Sequence, residues 1–223
     1  MRHFLFSFLL LFTASAHALS LNDLSNQDVV AGLKEALDVG TKQAVQKVSV
    51  RDGYFGNLDI RIPVPEKLER TESLLRKLGM DDRVDAFILS MNRAAEEAAP
   101  QAVDIFVEAI RDMTVVDAYG IVKGDHTAAT SYFRERTSDN LIRLFRPVIT
   151  GSMARVGAVR SYKRMMDRYN SIPLVQKVEV DLEGYVTQEA LNGLFFMVGE
   201  EEKKIREDPA ARITELLQKV FGD

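Results

Sequence analysis

The chain has no cysteine, and histidine is nearly as scarce, with three residues among 223. His3 and His17 lie in an N-terminal segment that we expect to be removed, which leaves His126. With one histidine and no cysteine, the chain cannot form a zinc site made of Cys and His ligands, and a bundle-type di-iron site would need a second histidine. The sequence therefore predicts no zinc or iron site and no cofactor.

Motifs of nucleotide and acyl-transfer chemistry are also missing. The chain contains neither of the glycine-rich loops that bind phosphates, and it has no Gly-x-Ser-x-Gly turn to present a nucleophilic serine. His126 lies in Gly124-Asp125-His126-Thr127, which is typical of an exposed turn before a helix. Two chemistries remain open, namely calcium-type sites with oxygen ligands and acid-base work by paired carboxylates.

Long apolar runs are absent except at the N-terminus. Residues 4–12 are apolar apart from one serine, too short to span a bilayer, and Arg2 precedes them. Ala16 and Ala18 form a small-residue cleavage pattern. We interpret residues 1–18 as a cleaved signal peptide, which predicts a periplasmic protein with no transmembrane segment after cleavage. The mature chain also lacks the cysteine that a lipoprotein anchor requires.

Apolar residues in the remaining chain recur every three or four positions, the period of an amphipathic helix. We therefore expect a mostly α protein, with residues 19–223 forming one helical bundle of about eight to ten helices. Residues that commonly start or end helices occur throughout: Pro63, Pro65, Gly79, Pro100, Thr114, Thr187, Asp208 and Pro209. Only residues 58–64 and 175–180 alternate as strands do, and they could pair as a two-stranded ribbon.

Charge is distributed unevenly along the helices. Without residues 1–18 the chain carries 28 basic and 33 acidic side chains, which does not favour a nucleic-acid partner. Residues 81–117 have a net charge of −6, whereas residues 134–168 have a net charge of +6. The basic region could bind an anionic envelope component, with these arginines as candidates: Arg143, Arg146, Arg160 and Arg164. Alternatively, the two regions face each other within the fold.

Two polar segments are candidates for a ligand-binding surface. Residues 51–59 combine glycines, aromatics and oxygen-bearing side chains, although glycine and asparagine also serve tight turns. In the predicted helix over residues 82–99, Asp85, Asn92 and Glu96 lie along one flank of the apolar stripe, and Arg93 points to solvent. Such a row can line a pocket or hold a neighbouring segment by hydrogen bonds. The candidate ligand-binding residues are Asp52, Tyr54, Asn92, Arg93 and Glu96.

A single carboxylate interrupts the apolar stripe of the helix predicted after Thr187. Glu201 falls on the face that carries Leu194, Val198 and Ile205. A carboxylate in that position needs an ion-pair partner, a cluster of donors or a raised pKa. Glu201 is therefore a candidate buried acid, serving either packing or catalysis.

Four short segments together resemble a known bacterial family: Asp52-Gly53-Tyr54-Phe55, Ser90-Met91-Asn92-Arg93-Ala94-Ala95-Glu96, Asn170-Ser171-Ile172-Pro173 and Asp208-Pro209-Ala210-Ala211-Arg212. They are similar to an exported family filed as domain of unknown function 4197, over about residues 33–222. The resemblance implies a mostly helical protein of the Gram-negative envelope, and it implies no activity. Some relatives resemble lipoproteins, from which this cysteine-free chain departs.

Three functional hypotheses follow. The first is a non-enzymatic periplasmic protein that binds a small ligand or an envelope component. The alternative is a carboxylate-based hydrolase or metal-dependent enzyme that uses Asp85, Glu96 or Glu201. The third is a structural envelope protein with an Arg-rich face. An enzyme would require at least two carboxylates converging in a concave site, whereas a binder needs only a pocket with polar anchors.

The predicted signal peptide can be tested directly. We expect the mature chain to begin at Leu19 and to be released with the periplasmic contents, because residues 1–18 carry the features that signal peptidase recognises. N-terminal sequencing of the protein from an osmotic-shock fraction checks this. An intact N-terminus in the membrane fraction would contradict it.

Overall fold

The structure is a computed structural model that describes residues 26–155, 157–171 and 179–208. These residues form eight α-helices, which we number in chain order: α1 (Asn26–Val48), α2 (Glu69–Lys77), α3 (Asp81–Ala98), α4 (Ala102–Asp112), α5 (Val115–Lys123), α6 (Ala128–Arg155), α7 (Ala158–Asn170) and α8 (Leu182–Glu207). Two 3-10 segments, Glu66–Leu68 and Ala99–Gln101, precede α2 and α4. The predicted mostly α class is confirmed.

Several helix boundaries lie where the sequence places them. Pro65 precedes the 3-10 turn that leads into α2, and Gly79 follows α2 with a φ of 73°, a conformation that glycine adopts without strain. Thr114 caps α5, because its side chain accepts the backbone N–H of Asp117 and the Asp117 carboxylate accepts the N–H of Thr114. These interactions are local, so sequence spacing suffices to predict them.

The predicted helix start at Thr187 is wrong. α8 begins at Leu182, and the Asp181 carboxylate accepts the N–H of Gly184 at 2.9 Å. A Cβ atom on residue 184 would lie 2.4 Å from that carboxylate, so the glycine leaves space for the cap. Thr187 is buried inside the helix and donates its hydroxyl to the Glu183 carbonyl. A threonine can cap the start of a helix, or it can donate its hydroxyl to a carbonyl one turn earlier inside a helix. Thr187 does the second, and Asp181 supplies the cap.

The predicted ribbon is not present in the described residues, which contain no strand. Residues 58–64 form turns followed by a stretch without regular secondary structure, and most of the second proposed strand, residues 175–178, lies outside the described residues. The Asn92 side chain takes the place of a partner strand: its amide accepts the N–H of Ile62 at 2.8 Å and donates to the Ile62 carbonyl at 2.9 Å. The segment alternates because it is half buried, not because it pairs in a sheet.

The core is organised around α8, which packs against α1, α3 and α6. Side chains from all eight described helices contribute to one apolar cluster. At its centre, the ring of Phe106 lies 5.2 Å from Phe133 and 6.2 Å from Phe195, so that α4, α6 and α8 meet in edge-to-face contacts.

Among the described helices, none is long and apolar enough to cross a membrane.

A buried ion pair on α8 joins α5 to α6. The Glu202 carboxylate accepts the backbone N–H groups of Ala129 and Thr130, each at 2.9 Å, in the first turn of α6. Arg206 bonds Glu202 and donates to the Ile121 carbonyl, at 2.8 Å, in the last turn of α5. A negative charge at a helix N-terminus and a positive charge at a C-terminus are both favourable, so this pair stabilises both ends of the connection.

Replacing the Glu202 carboxylate should destabilise the fold strongly. Glu202→Gln leaves one oxygen for the N–H groups of α6 and removes the charge that pairs with Arg206, which should cost about 3 kcal/mol. The melting temperature should fall by roughly 6–12 °C for a chain of this size. The control, Glu200→Gln, changes an exposed carboxylate two residues away and should shift stability by less than about 0.5 kcal/mol. Equal melting temperatures for both variants would contradict the role of Glu202.

Candidate functional site

The segment between α1 and α2 folds over α3 and carries two of the predicted ligand-binding residues. Asp52 has a φ of 67°, which turns the chain sharply after α1. Its carboxylate accepts a hydrogen bond from Arg93 at 2.7 Å, and the same guanidinium bonds Glu96 at 2.6 Å. Arg93 is therefore directed toward this segment, and the expectation that it points to solvent is wrong. Two carboxylates within reach hold it there.

Glu96 is buried, and protein donors occupy both of its carboxylate oxygens. One oxygen accepts the backbone N–H groups of Tyr54, at 3.1 Å, and Phe55, at 3.2 Å. The other accepts the guanidinium of Arg93. A buried carboxylate with this set of partners satisfies its hydrogen-bonding requirement within the fold.

Tyr54 connects the same segment to α8. Its side chain is fully buried, and the phenol donates to the Ala190 carbonyl at 2.6 Å. Burial, with the Glu96 charge nearby, holds the pKa of the Tyr54 phenol well above its usual value. A Cβ atom on Gly193 would lie 2.7 Å from the Tyr54 ring, so this glycine allows the ring to pack directly on α8.

Asn92 is fully buried and holds the same segment farther along. Besides its two hydrogen bonds to Ile62, its amide donates to the Ile88 carbonyl at 2.9 Å. All five predicted ligand-binding residues thus contact the segment between α1 and α2 or belong to it. Their polar groups bond one another and the backbone, an arrangement that fixes this segment onto α3 and α8.

The other carboxylates named from the sequence lie elsewhere. Asp85 is exposed and accepts a hydrogen bond from Arg76 of α2 at 2.8 Å. Glu201 is buried on α8 and pairs with Lys47 of α1. Neither bonds any of the five predicted ligand-binding residues. Within the described residues, no group of three or more His, Asp or Glu side chains is arranged to hold a metal ion.

The four predicted anion-binding arginines divide between two helices. On α6, Arg143 donates to Asn140 at 2.8 Å and Arg146 pairs with Asp181 at 3.2 Å. On α7, Arg160 and Arg164 are exposed. The two arginines of α6 already have polar partners within the fold. The four residues are therefore not equivalent candidates for binding an anion.

The acidic and basic regions face each other only in part. Arg136 lies 3.8 Å from Asp117, and Arg155 pairs with Glu97. Glu97 also accepts the hydroxyl of Ser152. These contacts connect α6 to α3 and α5 and account for two of the nine basic residues between positions 134 and 168.

Glu202 and Arg206, the ion pair of α8, were not among the residues predicted from the sequence. The sequence does contain a pattern that could have identified them. Relative to Glu202, apolar residues lie at positions −7, −4 and +3, which are Phe195, Val198 and Ile205. That spacing places Glu202 on a buried face, and Arg206 is one turn away.

Two clefts open on the surface of α6. One, of about 310 Å³, is lined by polar side chains that include Asp112, Asp117, Tyr132 and Arg136. The other, of about 420 Å³, lies between the first turns of α6 and one face of α8. His126 lies at the second cleft and is exposed, as its loop sequence predicts, with Nδ1 3.9 Å from Glu207.

Removing the side chains that hold the segment to α3 should destabilise the protein. Asn92→Ala leaves the buried N–H and carbonyl of Ile62 without partners, and Glu96→Gln removes the charge that Arg93 contacts. Each should lower the free energy of unfolding by about 1–3 kcal/mol. Thermal melts should show both variants below the wild type. The controls, Asn140→Ala and Glu108→Gln, change less buried helical residues and should have small effects. Unchanged or higher midpoints for Asn92→Ala and Glu96→Gln would instead indicate polar groups kept for binding.

Comparison with known proteins assigns the chain to a family. Searches of the curated proteins and of the solved structures each returned no match. A family model described as "protein of unknown function (DUF4197)" matches residues 23–222, which is most of the chain and agrees with the resemblance of the four sequence segments. The chain therefore belongs to the DUF4197 family.

Proposed function

We propose that this is an exported, non-enzymatic protein that binds anionic lipid headgroups of the cell envelope through the outer face of α7. The observation that carries the proposal is a set of four exposed cationic side chains on that helix, which we call the α7 cationic face: Arg160, Lys163, Arg164 and Arg168. The features of residues 1–18 support the export part of the proposal.

The two sides of α7 differ sharply in character. Met165, Met166 and Tyr169 are buried against the rest of the fold, and the ring of Tyr162 lies 5.7 Å from that of Phe87 on α3. The cationic side chains recur three and four residues apart, so they share the opposite side of the helix. Packing fixes the helix in place and leaves the α7 cationic face to solvent.

The α7 cationic face is also unneutralised within the described part of the chain. None of its four members lies within an ion-pair distance of a described carboxylate, unlike Arg146 and Arg155 of α6. Asp167 is the single acidic residue of α7. On a mature chain with more acidic than basic residues, such a concentrated positive surface favours an anionic partner. Each basic side chain near an anionic membrane contributes about 1 kcal/mol to binding.

The carboxylates give little support to the enzymatic alternative. Asp85 and Glu96 are separated by eleven residues of one helix, roughly 16 Å along its axis. Their partners are Arg76 and Arg93, whereas Glu201 pairs with Lys47. An acid-base pair would need two carboxylates facing one concave site, and the partners of these three lie on different elements.

The experiment measures binding of the full mature protein to vesicles. Sedimentation with vesicles containing phosphatidylglycerol should show binding at low salt that weakens markedly at physiological salt, where charges more than about 8 Å apart are screened. Vesicles of phosphatidylcholine alone should bind little. The double variant Arg160→Gln/Arg164→Gln should bind about 30-fold more weakly, since it loses two contributions of about 1 kcal/mol.

A matched control removes the same charge from another surface. Arg111→Gln/Arg136→Gln replaces two exposed arginines that lie close to carboxylates, and its vesicle affinity should remain within a few-fold of the wild type. Equal losses in both double variants would show that net charge alone governs binding and would overturn the assignment to α7. Absence of binding to anionic vesicles, or binding only to a soluble polyanion, would overturn the lipid proposal.

A further inference from the structure

The groove between α6 and α8 has the dimensions and lining of a ligand site. Its volume of about 420 Å³ falls in the range of small-molecule pockets. One wall comes from the first two turns of α6, and the other from residues of α8 that share one helical face, from Asn192 to Lys203. We call this feature the α6–α8 groove. It lies apart from the α7 cationic face and from the segment held by α3.

Arg134 marks one end of the α6–α8 groove. Its guanidinium lies 4.6 Å from the centre of the Phe195 ring, a cation–π contact that positions the charge. Its other polar contact in the described chain is a long one, 3.5 Å to the Asn192 side chain. No described carboxylate lies within 4 Å, so the guanidinium retains donors for an incoming anion.

The middle of the α6–α8 groove is apolar. Phe196 is 42% exposed and is the only aromatic residue among the large exposed hydrophobic side chains of the described chain. Gly199 lies one turn farther along α8, and a Cβ atom there would lie 3.5 Å from the Thr130 hydroxyl. The missing side chain leaves the groove open beside Phe196. Phe195 and Phe196 both line the groove, and aromatic side chains with a few polar groups are the usual lining of a small-molecule pocket.

Charges at the far end determine the direction in which a ligand would lie. Lys203 and Glu200 of α8 both line that end, together with His126, so the acidic and basic groups there offset one another. Phe195 and Lys203 are eight residues apart, roughly 12 Å along the helix. An acidic head therefore finds its clearest partner at Arg134, and a chain of that length can run along Phe196 and Gly199.

We propose that the α6–α8 groove binds a linear amphiphilic anion, such as a medium-chain carboxylate, with its acidic head on Arg134 and its apolar chain along Phe196 and Gly199. This site is distinct from the α7 cationic face and does not depend on the function proposed for it. Charge complementarity at one end and apolar contact along the remainder together select a ligand that has both features.

The test uses decanoate, below its micellar concentration, and the neutral decanol of the same chain length as probes. Titration calorimetry with the full mature protein should show saturable binding of one decanoate per chain and weaker binding of decanol. Arg134→Gln should weaken decanoate binding about tenfold, the effect of one charge-assisted hydrogen bond, and should leave decanol binding nearly unchanged. A variant that had merely lost its fold would lose both ligands.

A second variant tests the apolar part of the groove. Phe196→Ala removes an exposed side chain, so the fold should persist, and it should weaken both probes about equally. The matched control, Arg136→Gln, removes the same charge two residues away from Arg134, in the cleft on the other side of α6, and should bind both probes as the wild type does.

Three results would overturn the proposal. The first is absence of saturable decanoate binding below the micellar concentration. The second is an equal effect of Arg134→Gln and Arg136→Gln, which would indicate a non-specific charge effect. The third is concentration-dependent dimerisation that Phe196→Ala abolishes, without probe binding, which would assign the groove to a second copy of the chain.

Discussion

The buried pair of Glu202 and Arg206 fixes the arrangement on which much of the fold depends. α8 runs through the core, and its charged pair bonds the last turn of α5 and the first turn of α6. An uncompensated carboxylate in that place would be costly, whereas the N–H groups of α6 and the guanidinium of Arg206 satisfy it. This contact holds the first turn of α6 against α8. The same contact determines the wall of the α6–α8 groove, because that wall is made from the first turns of α6.

A second constraint is that the segment between α1 and α2 has no regular secondary structure before its 3-10 turn and still crosses buried regions. Backbone groups in such a segment require partners, and α3 supplies them from Asn92 and Glu96. The amide of Asn92 meets Ile62 as a neighbouring strand would, with one donated and one accepted bond. Asn92 and Glu96, which the sequence offered as the lining of a pocket, are thus engaged within the fold, and two other surfaces stand out as candidates for binding.

Those two surfaces differ in their physical character. The α7 cationic face consists of four exposed charged side chains, so it suits a diffuse anionic surface whose attraction is long-ranged and sensitive to salt. The α6–α8 groove is concave, combines one well-placed cation with an aromatic side chain, and suits a single molecule bound at short range. Other arginines of α6 form ion pairs with Asp117, Asp181 and Glu97. A basic stretch of sequence is therefore not by itself a binding surface, because part of its charge is paired within the fold.

The sequence by itself determined the helical class and the boundaries near Pro65, Gly79 and Thr114, because periodicity and capping are local properties. It also placed Glu201 in a buried stripe. It left open whether Asp52 and the residues of α3 come together. It did not identify Asn92 as the substitute for a strand, the partner of Glu201, or the role of Glu202, and it placed the start of α8 six residues too late. Each of these depends on which element packs opposite a given face, and residues as distant as Ala129 and Glu202 come together only in the folded chain. A polar side chain on a buried face has the same sequence pattern whether it meets a ligand, a backbone segment or a helix end. Only the tertiary structure decides among them, because the partner that satisfies its hydrogen bonds comes from elsewhere in the chain.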